Sequence, residues 1–389
     1  MNRRHIRRAL AACTAAASLA LLPSAAAHAD SVRAQQWGLA AIHTQEAWRT
    51  TKGKGITVAV LDTGVDDRHR DLKGNILPGK DLIGFGAQRG DASWAHHGTA
   101  IAGIIAGHGH GTGGADGVIG IAPEARILPV RVILEDGDPA RAKARETRGN
   151  ALADGIRWAA DHGADVINLS LGDDSPTAHA EASEDEAVQY ALKKGVSVVA
   201  SAGNGGKKGD HISYPAAYPG VITATAVDAN GSRSYFSTRR WYATVAAPGR
   251  GIVTPDPDGT YYSAWGTSAA SAFVSGAVAL VRAAHPGLSP AQIKQLLEQT
   301  AQDPPAGGHD DSRGYGLVDP AAAIEAAKDL KPQGLTSTAY GEKYFGTGPD
   351  DPDDDGQAAW VAPVSYTLGA LLIVAAGWLW RGHRLSRRR

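Results

Sequence analysis

The chain has 389 residues, a formal net charge of −1, 43% hydrophobic residues and 48 glycines. That length accommodates one large domain or two ordinary ones, and the composition fits a globular α/β protein with many tight turns. The near-zero charge removes any general electrostatic argument for nucleic acid.

The N-terminus reads as a secretory signal over residues 1–29. Arg3, Arg4, Arg7 and Arg8 form a basic start, an apolar run follows to Ala27, and Ala27-His28-Ala29 is a small-residue cleavage site. The mature chain is then expected to begin at Asp30. The one cysteine, Cys13, falls inside this segment, where too few apolar residues precede it for a lipoprotein box. A mature chain without cysteine has no disulfide and no thiolate metal site.

Residues 30–50 form an N-terminal arm, with Trp37, Leu39, Ile42 and Trp48 as apolar anchors among polar neighbours. Asp30 to Gly55 is too short for an independent prodomain, since even small domains need about 40 residues without staples. The arm is expected to pack on the core, either closing one face or also covering part of a cleft.

Continuous apolar runs then recur at Ile56–Leu61, Ile127–Val132, Val166–Leu169, Val196–Ala200 and Val221–Ala226. They suit parallel strands buried on both faces. Helical stretches lie between them, at Thr99–Ala106, Gly149–Asp161 and Glu184–Lys193. The alternation predicts a doubly wound α/β domain with a mostly parallel sheet and helices on both faces, over residues 30–330. A long apolar helix should run from Ser268 to Ala284. The next begins with Ser289 as N-cap, Pro290 at its first position and Gln292 closing a capping box.

Two glycine-rich stretches mimic nucleotide motifs. "GHGTGG" (109–114) follows a helix, not a strand, and reads as a flexible loop; "GNILPGKD" (74–81) lacks the Ser/Thr of a phosphate loop and reads as a turn. His108 and His110 lack a carboxylate partner at ligand spacing and read as solvated.

Beyond the domain lies an acidic, Pro-containing linker at 331–359. Residues 360–380 follow, with an uncharged run from Val361 to Trp380. About 20 residues at ~1.5 Å each span a ~30 Å hydrocarbon core. Trp360, Trp378 and Trp380 flank the run, and Arg381, Arg384, Arg387, Arg388 and Arg389 follow it. A single-pass membrane helix is expected, with the domain extracytoplasmic and the basic tail at 381–389 cytoplasmic.

Four residues carry the candidate chemistry. "VAVLDTGVD" places Asp62 at a strand end. "HHGTAIAG" places His97 at a helix start. "SVVASAGN" places Asn204 past another strand end, and "GTSAA" places Ser268 at a turn into a helix. Singly, these could be a turn aspartate, a helix-start histidine, a Gly-turn asparagine and an N-cap serine. Together they supply a nucleophile, a base, an orienting carboxylate and an oxyanion donor, in the known triad order Asp, His, Ser. Ser271 and Ser275 read as small residues that allow close helix packing.

On these motifs the chain resembles the subtilisin-like serine proteases, the subtilases, from about Gln35 to Lys328. The resemblance implies Asp62, His97 and Ser268 as the triad and Asn204 as the oxyanion donor. It also implies that "NLSLG" supplies Ser170, Leu171 and Gly172 as the strand that receives substrate. Ala269 and Ala272 depart from the family, which usually has a bulky residue and a proline there. Signal, cysteine-free core, linker and anchor together resemble the mycosins, proteases of type VII secretion. The expected function is a membrane-anchored serine endopeptidase that processes secreted proteins near such an apparatus. The alternative is a structural component of a secretion complex. Protein or peptide substrates and the membrane are the expected partners, with a type VII secretion complex as a further one. No cofactor is required. Calcium is frequent in the family, and the aspartates of "DDRHRDL" (66–72) are its candidate ligands, with a solvated loop as the other reading.

Overall fold

The computed structural model describes residues 31–91 and 93–333. The predicted signal, the linker beyond residue 333, the membrane span and the basic tail lie outside the described residues.

The arm forms short helices α1 (Ser31–Ala34), α2 (Trp37–Ala41) and α3 (Thr44–Ala47). The first strands and helices of the body are β1 (Thr57–Asp62), β2 (Lys80–Asp81), α4 (His96–Ala106), β3 (His108–His110), β4 (Asp116–Ile119) and β5 (Arg126–Arg131). Then come α5 (Arg141–Thr147), α6 (Ala151–Asp161), β6 (Val166–Leu169), α7 (Ala182–Lys193), β7 (Ser197–Ser201), β8 (Ile222–Val227) and β9 (Val245–Pro248). The chain closes with the hairpin β10 (Arg250–Pro255) and β11 (Tyr261–Trp265), and helices α8 (Thr267–Ala284), α9 (Pro290–Gln299) and α10 (Pro320–Ala326).

The central sheet has seven strands in the order β2-β5-β1-β6-β7-β8-β9, and every pairing between them is parallel. Its inner strands are buried along their length because "TVAVLD", "VINL", "SVVAS" and "ITATAV" are apolar on both faces of the pleat. Helices α4 and α8 pack together on one face of the sheet, and α6 and α7 pack together on the other. Strand order runs one way from β1 to β5 and the other way from β1 to β6. This is a topological switch point, where a crevice opens at the strand carboxyl ends.

Helix α8 is long and apolar enough to cross a membrane by composition, yet 78% of it is buried inside this fold. It is the core helix. Its burial against the sheet accounts for its apolar surface on all sides.

The arm packs on the body. Leu39 and Ile42 are buried, Trp37 Nε1 donates to Gly251 O (3.2 Å), and Trp48 Nε1 donates to Ile121 O (2.8 Å). His43 Nδ1 lies 2.7 Å from Asp319 Oδ2, and Asp319 in turn caps α10 by accepting from the Ala322 amide. Arg33 and Gln36 reach Gly117 and Ile119 of β4, Trp37 reaches β10 and His43 reaches the cap of α10, so these contacts hold the arm along one face of the domain.

Three local expectations are corrected. The "GHGTGG" stretch is part of an antiparallel ribbon, with His108 opposite Ile119 and His110 opposite Asp116. The "GNILPGKD" stretch is a sheet edge: Ile76 bridges Ile127, and Lys80–Asp81 pairs with β5. The 66–72 segment is solvated only in part: Asp67, Arg68 and Arg70 are exposed, but Asp66 and Asp71 are fully buried. Arg68 Nη2 pairs with Asp66 at 2.6 Å, while Asp71 accepts from His110 Nδ1 (2.6 Å), Tyr261 Oη (2.8 Å) and the Val118 amide (2.9 Å). Buried carboxylates need such partners. His110 is therefore one of the ties that hold the ribbon, not a solvated side chain.

Candidate active site

Strand β1 delivers Asp62, with no exposed side-chain area, to the carboxyl edge of the sheet. The Thr63 amide donates to Asp62 Oδ1 at 2.7 Å. His97 enters as the second residue of α4, with Ala95 before it in the left-handed region at φ 57°. Its Nδ1 sits 2.9 Å from each Asp62 carboxylate oxygen. The His97 amide donates to Glu135 Oε1 (2.8 Å) and the Gly98 amide to Thr63 Oγ1 (3.1 Å). Gly98 is required here: a Cβ would lie 1.9 Å from the Gly64 carbonyl oxygen.

Asp62 fixes the imidazole through Nδ1 and leaves Nε2 as the nitrogen for proton exchange. The His97 side chain retains 35% exposure. Burial draws its pKa down, but the charge and hydrogen bond of Asp62, with Glu135 and Asp136 further off, outweigh burial and raise it to about 9.

Register brings the serine to this pair. Val60 pairs with Asn168, so continuing both strands sets Asp62 level with Ser170, on strands about 4.8 Å apart. Ser268 Oγ donates to Ser170 O at 3.1 Å. Ser268 is the second residue of α8, after Gly266, whose φ of 136° suits a residue without Cβ. Among the described residues Ser170 O is the partner of the Ser268 hydroxyl, so the hydroxyl must rotate away before its proton can pass to His97. Such hydrogen bonds commonly tighten only when substrate is bound.

Asn204 lies beyond β7. Its amide N–H donates to Asp174 Oδ2 (2.7 Å), and its Oδ1 accepts from the Thr267 amide (3.0 Å) and Thr267 Oγ1 (3.1 Å). With Oδ1 taken, Nδ2 is the end of the amide left to donate. Asn204 is exposed, whereas Thr267 is fully buried.

Past β6, the Leu171 carbonyl accepts from Ser201 Oγ at 3.4 Å, and Asp173 exchanges amide hydrogen bonds with Tyr214 at 2.9 and 3.1 Å. Among the described residues, the Leu171 and Gly172 amides and the Gly172 carbonyl take no backbone partner. An extended peptide could pair there as an added strand.

Sequence reasoning missed the polar cluster under the nucleophile. Ser170 Oγ lies within hydrogen-bond distance of Asn168 Oδ1 (2.9 Å), Ser268 O (3.0 Å) and Ser271 Oγ (2.8 Å). Ser271 Oγ donates to Ser268 O (2.9 Å), and Asn168 Nδ2 donates to Ser275 Oγ (2.9 Å). Ser271 and Ser275 thus tie α8 to β6, beyond allowing close packing. Thr267 was missed as well. Its one signal was its place beside Ser268.

Ala269 and Ala272 are both buried in α8. Among the described residues, no group of three or more His, Cys, Asp or Glu is placed to hold a metal ion. Of the candidate calcium ligands, Asp66 pairs with Arg68, Asp67 with Arg89 at 2.8 Å, and Asp71 with His110 and Tyr261.

A parallel sheet with this crevice, a buried Asp–His pair and a helix-start serine define a subtilisin-like serine protease. The family model for the subtilase family matches residues 53–316, and the chain belongs to that family. It is 38% identical over 269 residues to thermitase of Thermoactinomyces vulgaris, covering 69% of this chain and 88% of thermitase. It is 38% identical over 327 residues to fervidolysin of Fervidobacterium pennivorans, covering 77% of this chain but 45% of fervidolysin, so it spans under half of that relative. Among solved structures, MycP1 from Mycobacterium smegmatis superposes with a TM-score of 0.65 at 30% identity, covering 82% of this chain and 89% of MycP1.

Proposed function

We propose that this chain is a membrane-anchored, extracytoplasmic serine endopeptidase. A substrate peptide pairs with Leu171 and Gly172 and presents its carbonyl to Ser268. The Ser268 oxygen attacks as His97 Nε2 takes its proton, and Asp62 stabilises the imidazolium. The oxyanion receives a hydrogen bond from Asn204 Nδ2. His97 then gives its proton to the leaving amine, and water hydrolyses the acyl-enzyme by the reverse sequence of transfers.

The observation that carries this reading is the pairing of His97 with buried Asp62 beside a serine held at the same level of the sheet. Nucleophile, base and oxyanion donor are all side chains of the protein, so the reaction as proposed requires no cofactor. Anchoring rests on the uncharged 361–380 run and its basic flank. A role beside a type VII secretion apparatus is supported by the similarity to a mycosin, MycP1 from the ESX-1 type VII secretion system. The alternative, a structural component of a secretion complex, keeps the anchor and drops the chemistry.

A fluorophosphonate probe separates the two: the full chain should be labelled and the Ser268→Ala chain should not. Equal labelling of both would refute Ser268 as nucleophile, and no labelling of the folded wild type would favour the structural role. Membrane fractionation with external protease tests topology. A domain protected from that protease, or a full chain released by high salt, would overturn the anchor.

A further inference from the structure

A second histidine–aspartate contact stands one residue from the base. His96 Nε2 lies 3.0 Å from Asp256 Oδ2, while its neighbour His97 pairs with Asp62. The His96 ring stacks on Tyr262, with centroids 4.6 Å apart and planes 29° apart, and its Nδ1 lies 3.4 Å from Tyr262 Oη. Both partners belong to the hairpin: Asp256 follows β10 directly, and Tyr262 is in β11. The steps of peptide hydrolysis leave His96 without a task.

Asp256 is held in place for this contact. Its amide donates to Thr260 O and its carbonyl accepts from the Gly259 amide, both at 2.9 Å. Its Oδ1 accepts from the Asp258 amide at 3.3 Å, and Asp258 Oδ1 in turn accepts from the Thr260 amide and hydroxyl at 2.8 and 2.6 Å. The turn is closed on itself, with Oδ2 facing the imidazole. A carboxylate against Nε2 fixes the proton there and leaves Nδ1 to accept from the Tyr262 hydroxyl. The hairpin also seats on α4 at Gly103, seven residues and so about two turns further on. A Cβ at Gly103 would lie 2.3 Å from the Pro255 ring.

The other end of the hairpin runs into the nucleophile. After β11 the Gly266 amide donates to Gly249 O at 2.8 Å, and Thr267 and Ser268 open α8. One stretch of chain therefore touches the helix of the base and carries the nucleophile. The start of α4 needs such a hold, because its N-cap is Ala95, which has no side-chain acceptor. Three groups from elsewhere fix it: Glu135 at the His97 amide, Thr63 at the Gly98 amide and Asp256 at the His96 ring. Of these three, Asp256 alone belongs to the stretch that leads into Ser268.

We propose that His96 and Asp256 are positioning residues, which set the base against the nucleophile by clamping the start of α4 to the hairpin that leads into Ser268. This rests on the peptidase reading above, and the test keeps the two apart. The full chain in detergent is assayed as wild type, His96→Gln, His96→Ala, Asp256→Ala and the double variant His96→Ala/Asp256→Ala. Both single alanine variants should lower kcat by roughly ten-fold, inside the 10²-fold that a 1 Å misplacement can cost, with KM within about two-fold of wild type. His96→Gln keeps a side-chain N–H for Asp256 and should recover part of the loss. The double variant should lose no more than the worse single one, as expected for two groups that act through one contact. The downfield proton resonance of His97 Nδ1, which reports its bond to Asp62, should shift or broaden in each alanine variant. Unchanged kcat in His96→Gln and Asp256→Ala, a loss confined to KM, losses that multiply in the double variant, or a fall in kcat with that resonance unmoved would each overturn the positioning role. No cleavage by folded wild type would overturn the peptidase reading, and the clamp with it.

Discussion

The Thr267 amide and hydroxyl both donate to Asn204 Oδ1, at 3.0 and 3.1 Å, from the residue just before the nucleophile. The residue that opens the nucleophile's helix thereby also aims the oxyanion donor. Asn204→Ala should lower kcat about 10²–10³-fold, a magnitude taken from the corresponding asparagine of a subtilisin. Thr267→Val keeps the backbone donor and removes only the hydroxyl. That hydroxyl also accepts from the Gly203 amide at 3.2 Å, and its loss should lower kcat by roughly two- to ten-fold through the missing bond to Asn204, with KM little changed. Steady-state kinetics on a peptide substrate checks both. A Thr267→Val effect confined to KM would contradict the positioning role.

Ser268→Ala should reduce turnover by about 10⁶-fold while leaving the circular dichroism spectrum and unfolding midpoint close to wild type. The side chain is partly exposed and its loss removes only the hydrogen bond to Ser170 O. Residual turnover near the wild-type rate in the purified variant would remove Ser268 from the mechanism.

The Asp62–His97 pair sets the pH response. His97 acts as a base only when neutral, and its pKa is raised from 6.5 to about 9. Activity should therefore climb as pH rises through that range. Asp62→Asn should move the acid limb of the profile to lower pH and reduce kcat by about 10⁴-fold. Stability runs the other way. A raised histidine pKa stabilises the fold fully below 6.5 and loses that contribution as pH rises through about 9. Urea midpoints at pH 6 and pH 10 should differ more in wild type than in Asp62→Asn. An acid limb that stays in place in Asp62→Asn would refute the coupling.

Asn168→Leu tests the cluster beneath the nucleophile. Asn168 is fully buried and holds Ser170 Oγ and Ser275 Oγ. Leucine would leave those hydroxyls short of a partner, destabilising the domain by about 1–3 kcal/mol. Urea denaturation measures this. An unchanged midpoint would show that the cluster is replaceable by apolar packing.

The sequence already displayed what depends on local pattern. The runs at β1, β5, β6, β7 and β8 appear within a residue or two of their bounds, because strands buried on both faces are continuously apolar. Ser289, Pro290 and Gln292 form the predicted capping box. Strands β10 and β11 escaped notice because β11 has no buried residue and the buried run of β10 is only Ile252 to Pro255, ending in a proline that reads as a strand breaker. Asp62, His97, Asn204 and Ser268 stood out because each sits at an element end within a long motif. Partnerships across distant sequence did not. Asn168 and Ser275 are 107 residues apart, and Asp71 and His110 are 39 apart. Nothing in "HRDL" or "GHGH" marks a buried carboxylate shared by a ribbon and a tyrosine.

The contact between His43 and Asp319 joins positions 276 residues apart. Closing so long a loop adds little to the equilibrium free energy, since closure entropy grows only with the logarithm of length. Its effect falls on timing. The arm is synthesised before the body, yet one of its anchoring partners emerges only after β1 to β11 and α8. Through that interval His43 and α3 lack their partners in Asp319 and α10. The beginning of the domain is thus among the last parts to be secured. Resistance of the arm to cleavage would report that α10 has docked and that folding has run to completion.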